Sequence, residues 1–200
     1  MTDYEWHVTN HESMTFREAS NGDIEQLRRL CLESWAQFQT ALTPENWQKL
    51  FYNLNRIETY RDLLQQSHCI VCENSDGAII GMAFLVPSGN PTDIYQANWC
   101  YIRFVSVHPA FGGKGIGRQL TVKCIETAKK NKEQIVALHT SEMMQKARHI
   151  YESLGFTILR EIEPRLGKKY WLYTLDISTK NDVDTHNGQA TDMLDGDIDG

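Results

Sequence analysis

The run Val105-Ser106-Val107-His108-Pro109-Ala110-Phe111-Gly112-Gly113-Lys114-Gly115-Ile116-Gly117-Arg118 leaves the chain few ways to fold. A β-branched stretch breaks at a proline, passes through a glycine-dense turn and opens a helix over residues 119 to 129. In a strand that feeds such a turn at a helix N-terminus, the first-turn N–H groups have no partner inside the helix. The aligned peptide dipoles also favour negative charge there. Glycines let the backbone come close to a ligand and take dihedrals closed to other residues. The arrangement is a physical device for holding phosphate.

Spacing narrows the kind of phosphate site. A P-loop needs Ser or Thr after its lysine, and Lys114 is followed by Gly115. A dinucleotide fingerprint needs G-x-G-x-x-G, whereas Gly113, Gly115 and Gly117 give G-x-G-x-G with no βαβ pattern ahead. The segment instead resembles motif A of the GNAT superfamily of N-acetyltransferases, V-x-P-x-x-[Q/R]-x-x-G-x-[G/A]. Gly112 stands where that motif has Gln or Arg, so only a backbone N–H is offered at that position.

A second stretch, Ala147-Arg148-His149-Ile150-Tyr151-Glu152-Ser153-Leu154-Gly155-Phe156, resembles the same family's motif B, A-x-x-x-Y-x-x-x-G-F. Ala147, Tyr151 and Leu154 share one helix face, and Gly155 is placed as a C-cap. Met144 replaces the Asn that often precedes the Ala by three residues. The two motifs cover residues 99 to 156, and the element order extends the likeness from about 14 to 177.

The resemblance implies acetyl-CoA as co-substrate, no metal, and direct attack by a primary amine on the thioester in a ternary complex. It implies a pyrophosphate cradle at Gly112, Gly113, Lys114, Gly115, Ile116, Gly117 and Arg118. The pantetheine arm would lie along Val105, Ser106 and Val107 between two splayed parallel strands, with the Val105 N–H as oxyanion donor. Tyr151 would give its proton to the leaving thiolate. The family's usual carboxylate base is missing from Cys100 to Val107, and His139 takes the matching position on the second strand. An imidazole with an ordinary pKa near 6.5 can remove a proton from an ammonium. A structural, hydrogen-bonded histidine accounts for His139 equally well.

The apolar pattern predicts one α/β domain of the α+β type, a mixed and mostly antiparallel sheet of six to seven strands with helices on both faces. Strands are expected at 14–19, 68–73, 78–86, 99–107, 134–140, 156–162 and 169–177. A first helix carries Ile24, Leu27, Leu30, Cys31 and Trp35. Thr43 caps a second, with Pro44 at its first position, and Trp47, Leu50, Phe51, Leu54, Ile57, Tyr60 and Leu64 continue one stripe along it. Asn74-Ser75-Asp76-Gly77 is a hairpin turn. The helices ahead of Cys69 are expected to border the acceptor site, where Glu33, Trp35, Gln37, Phe38, Trp47 and Tyr52 are the candidates.

Charge bounds the partners. The net charge of −6 belongs mainly to residues 178–200, where six Asp face Lys180, and the body carries only −1. A near-neutral body has no electrostatic footprint for nucleic acid. No apolar stretch approaches a membrane span, and the N-terminus lacks the basic and apolar regions of a signal peptide. Five cysteines, an odd number, point to reduced thiols and a cytoplasmic location. Cys69 and Cys72 fall on opposite faces of a strand, and His7 and His11 lie in an unpatterned segment, so neither pair reads as a metal site. Residues 1–13 read as an extension and 178–200 as an acidic, disordered tail. The acceptor is expected to be a small-molecule amine, and a homodimer is compatible with the pattern. A protein N-terminus or lysine as acceptor, and a non-catalytic acyl-CoA sensor, stay open as alternatives.

Overall fold

The computed structural model describes residues 14–178; the N-terminal extension and the acidic tail from 179 onward, with His7 and His11, lie outside them. In chain order the elements are β1 (Thr15–Glu18), α1 (Ile24–Ala36), α2 (Pro44–Asn55), α3 (Ile57–Gln66), β2 (His68–Glu73), β3 (Ile79–Val86), β4 (Cys100–Val107), α4 (Ile116–Lys130), β5 (Ile135–Ser141), α5 (Gln145–Ser153), β6 (Thr157–Arg165) and β7 (Lys168–Asp176). The strands form one seven-stranded sheet in the order β1-β2-β3-β4-β5-β7-β6. Only β4 and β5 run parallel among these pairs. The strand count and the mixed, mostly antiparallel character agree with the sequence reading.

Two apolar cores lie on opposite faces of the sheet. Helices α1, α2 and α3 cover one, built around Leu27, Tyr60, Met82, Phe84 and Tyr101. Helices α4 and α5 cover the other, around Ile102, Ile116, Leu120, Leu138 and Tyr151. The central strand β3 is buried along its whole length, which is why Ile79 to Val86 reads as an unbroken apolar run. Gly81 on β3 is the point of closest approach: a Cβ there would stand 2.7 Å from Ile116 Cγ2, so the glycine lets the first turn of α4 sit down on the sheet.

The second helix departs from expectation. The stripe from Trp47 to Leu64 is one helix in the sequence reading and two in the structure, because Arg56 adopts an extended conformation (φ −75°, ψ 117°). The buried Tyr60 hydroxyl donates to the Leu54 carbonyl at 2.7 Å, satisfying a C-terminal carbonyl of α2 that a continuous helix would have paired internally. Apolar spacing stays in phase across the break, so periodicity alone could not reveal it. At the start of α2 the expected cap is present, with Asn46 N–H donating to Thr43 Oγ1 at 3.3 Å. The hairpin turn also forms as read, with Asn74 Oδ1 accepting from the Asp76 and Ala78 N–H groups.

Candidate active site

Strand β4 carries the feature that opens the site. Met82 pairs with Ser106 but Phe84 with Arg103, so Phe104 and Val105 together oppose Ala83. This is a β-bulge, and Phe104 takes a left-handed φ of 50° within it. The extra residue reverses the facing of the strand. Tyr101 and Ser106 face the α1–α3 side, while Val105 and Val107 face α4. Register between β4 and β5 holds only at Cys100–Val136 and Tyr101–Ala137, and beyond these the two parallel strands separate.

A cavity of about 1100 Å³ fills the splay. It runs from Gly112, Gly113 and Gly117, past Val105, Val107 and Tyr151, to His139, Arg103 and Tyr170. The glycine loop has the geometry its sequence suggests. Gly113 (φ 80°) and Gly115 (φ 78°) are left-handed, and a Cβ on either would meet no atom within 4 Å. Gly115 is the N-cap of α4 and offers no side-chain cap, so the first-turn N–H groups are left for a ligand. That open cradle fits a pyrophosphate.

Several candidate binding residues differ in detail from the sequence reading. The Gly112 N–H already donates to the Pro109 carbonyl at 3.1 Å, inside a short 3-10 turn over Pro109–Phe111, and so is occupied. Ser106 is buried with its hydroxyl directed at Cys31 on α1, and Ile116 is buried against the sheet, so neither side chain reaches the cavity. Lys114 lies over the Phe111 ring at 4.9 Å, and Arg118 is exposed. Gly117 is different. A Cβ on it would make only ordinary contacts, 3.7 Å from Ile150 Cδ1 and Val107 Cγ2, at the wall of the cavity.

Tyr151 projects from α5, held by Ala147 and Leu154 on the same face and by an edge contact to Phe156. The helix ends at Ser153 with Leu154 as C-cap, and the left-handed Gly155 (φ 90°) turns the chain so that Phe156 N–H donates back to the Tyr151 carbonyl at 3.1 Å. Its hydroxyl lies at the cavity wall with no hydrogen-bond partner among the described residues, and burial pushes its pKa well above the ordinary tyrosine value. It stays protonated until a base arrives beside it.

His139 also reaches the cavity, from the face of β5 opposite Tyr151. Its Nδ1 lies 2.6 Å from the Tyr95 hydroxyl, and the Tyr95 and Tyr170 rings flank it. Burial, followed by the Arg165 and Arg103 charges, lowers its pKa to about 4. The ordinary value near 6.5 assumed from sequence does not hold in this setting, because the ring is buried and the charged neighbours Arg165 and Arg103 in the cavity wall are cations.

Of the acceptor-side candidates, Trp35, Gln37 and Phe38 line the cavity. Trp47 packs into the core instead, Tyr52 is 67% exposed, and Glu33 faces His108 Nε2 at 3.5 Å. Sequence reasoning missed Arg103, Arg165, Tyr95 and Tyr170. Arg103 left a signal, as a lone cation in the apolar run Cys100 to Val107. Arg165, on the far strand β6, left none. Cys69 and Cys72 are buried core residues, and no cluster of metal-ligating side chains occurs among the described residues.

The sheet order, the bulge and the splayed parallel pair define an acetyltransferase-type α/β fold. The chain matches the acetyltransferase (GNAT) family model over residues 27–156 and belongs to that family. The coenzyme A complex of PaiA N-acetyltransferase from Thermoplasma acidophilum superposes with a TM-score of 0.68 at 17% identity, over 82% of this chain and 99% of that one, a likeness of fold. In sequence the chain is 33% identical over 70 residues to the L-amino acid N-acyltransferase MnaT of Escherichia coli, covering 34% of this chain and 40% of that protein. It is 25% identical over 120 residues to the L-methionine sulfoximine/L-methionine sulfone acetyltransferase of Salmonella typhimurium, covering 59% of this chain and 68% of that protein.

Proposed function

We propose that the chain transfers an acetyl group from acetyl-CoA to the primary amine of a small molecule by direct attack in a ternary complex. One observation carries this reading: a single cavity joins the uncapped N-terminus of α4 to the Tyr151 hydroxyl through the gap between β4 and β5. Acetyl-CoA then lies with its pyrophosphate on Gly113, Gly115 and the first turn of α4, and its pantetheine arm along Val105–Val107. The named activities of the two sequence relatives, both on small amino compounds, support the same class of acceptor.

The chemistry follows from that placement. The neutral amine attacks the thioester carbonyl, and the Val105 N–H, in the bulge beside the gap between β4 and β5, donates to the developing oxyanion. As the tetrahedral intermediate collapses, the C–S bond breaks and Tyr151 delivers its proton to the CoA sulfur. The proton lost by the amine leaves through solvent. His139, neutral at pH 7, orients the amine by hydrogen bonding. Its conjugate acid is too strong for it to strip an ammonium efficiently.

The five cysteines are all buried free thiols, which supports a cytoplasmic home. No helix among the described residues is long and apolar enough to cross a membrane.

Two-substrate initial rates with a thiol-release readout test the reading. Intersecting lines, with one free thiol per acetylated amine, are expected. Parallel lines would replace direct transfer by an acyl-enzyme. Acetyl-CoA binding without thiol release across small amines would leave a sensor, and release confined to peptides would make the acceptor a protein.

A further inference from the structure

Four charged side chains line the cavity, and all are cations: Lys49, Arg103, Lys146 and Arg165. No Asp or Glu contributes to its wall. Lys49 and Lys146 are exposed at the rim, while Arg103 and Arg165 are partly buried. The sheet decides which ligand the two arginines can meet. The glycine loop belongs to the α4 face, whereas Arg103 stacks over Phe104 and Arg165 borders Tyr170, both on the α1–α3 face. They therefore stand apart from the phosphate cradle.

Their own partners leave them capacity. Arg103 has the Phe104 ring at 5.3 Å and no ion pair among the described residues. Arg165 reaches Asp93 with one nitrogen at 2.7 Å, and that carboxylate is largely exposed. A guanidinium has five donors in a planar fork that matches a carboxylate. Two partly buried guanidiniums in an acid-free wall call for an anion.

We infer that the acceptor amine carries a carboxylate, as an α-amino acid does, and that Arg103 and Arg165 hold it; this rests on the transferase reading above. Polyamines and aminoglycosides are the opposite case: an additional ammonium in this wall would find two like charges, and the nearby carboxylate, Asp93, already paired to Arg165. The same two cations disfavour the ammonium form of the reacting amine and so favour its nucleophilic form. The β4 bulge unites these roles, because it seats Arg103 on the acceptor face while turning Val105 to the cofactor.

The test uses the full chain with acetyl-CoA and matched acceptors: a panel of L-α-amino acids, each beside the amine lacking its carboxylate, with spermidine as a polycation. The amino acids should exceed their decarboxylated partners at least about 100-fold in kcat/KM, the size of one or two charge-assisted hydrogen bonds. Arg103→Gln and Arg165→Gln should each raise KM for the amino acids about 10-fold or more. The KM for acetyl-CoA should hold, and the decarboxylated amines should lose much less kcat/KM than the amino acids, only the small part that the charge of the arginines contributes to deprotonating the amine. Equal or better use of decarboxylated amines or spermidine, or an equal loss on both acceptor types in the variants, overturns the inference and leaves the transferase intact. Calorimetric titration of the preferred amino acid into CoA-loaded protein separates the two claims. Arginine-dependent binding without thiol release would sink transfer and keep the anion site, and no binding of any amino acid would sink the anion site.

Discussion

At the scale of a single residue, the proposed chemistry turns on Tyr151. Its ring is core, packed against Phe156, while its hydroxyl lies at the cavity wall. Tyr151→Phe keeps the ring and removes only the donor, so Tm should hardly move while kcat falls about 10- to 100-fold. An unchanged kcat would make the residue packing alone. His139 makes a prediction of another kind. Held near pKa 4 by burial and by Arg165 and Arg103, with Asp93 opposing them and Tyr95 and Tyr170 against the ring, it binds no proton in the native state at pH 5 to 6.5. The unfolded chain, near 6.5, does bind one there. The native state therefore loses stability as pH falls from about 6.5 toward 4, and His139→Gln should flatten that slope in pH-dependent melting. The kcat/KM profile should follow the acceptor amine and keep its shape in His139→Gln. An inflection near 6 to 7 that vanishes in the variant would restore the imidazole as base.

At the scale of elements, the fit between β3 and α4 positions the phosphate cradle. Gly81→Ala would drive a methyl to within 2.7 Å of the buried, β-branched Ile116 and 3.1 Å of Leu120 Cδ1, so the first turn of α4 must shift. Overpacking of this kind costs about 1–3 kcal/mol, and acetyl-CoA affinity should fall along with Tm. A variant of lower Tm with unaltered affinity would uncouple the cradle from this contact. Elements with their own local signature were legible from sequence: the glycine loop, the motif B helix, the Asn74 turn and the Thr43 cap. What was not legible depends on distant groups. The break at Arg56 rests on Tyr60 reaching back to Leu54, and the phase reversal in β4 on pairing with β3. The two arginines proposed to hold the acceptor come from strands far apart in sequence, so no local spacing joins them.

For the molecule as a whole, the sheet works as a partition with one opening. In the proposed arrangement cofactor phosphate belongs to the α4 face and the acceptor to the α1–α3 face, and the two meet where β4 and β5 separate. Net charge gave no hint of this, because a near-neutral body conceals a cavity whose charged groups are all positive. The claim that acetyl-CoA enters this opening from the glycine loop is tested most directly by calorimetric titration of CoA into the parent chain and Gly117→Asp. The backbone at Gly117 is not left-handed and a Cβ there makes only ordinary contacts, so the variant should keep its Tm to within a few degrees. It sets a carboxylate at the proposed pyrophosphate position, and CoA affinity should fall about 100-fold or more. A folded Gly117→Asp that binds CoA within a few-fold of the parent would contradict the placement of the cofactor.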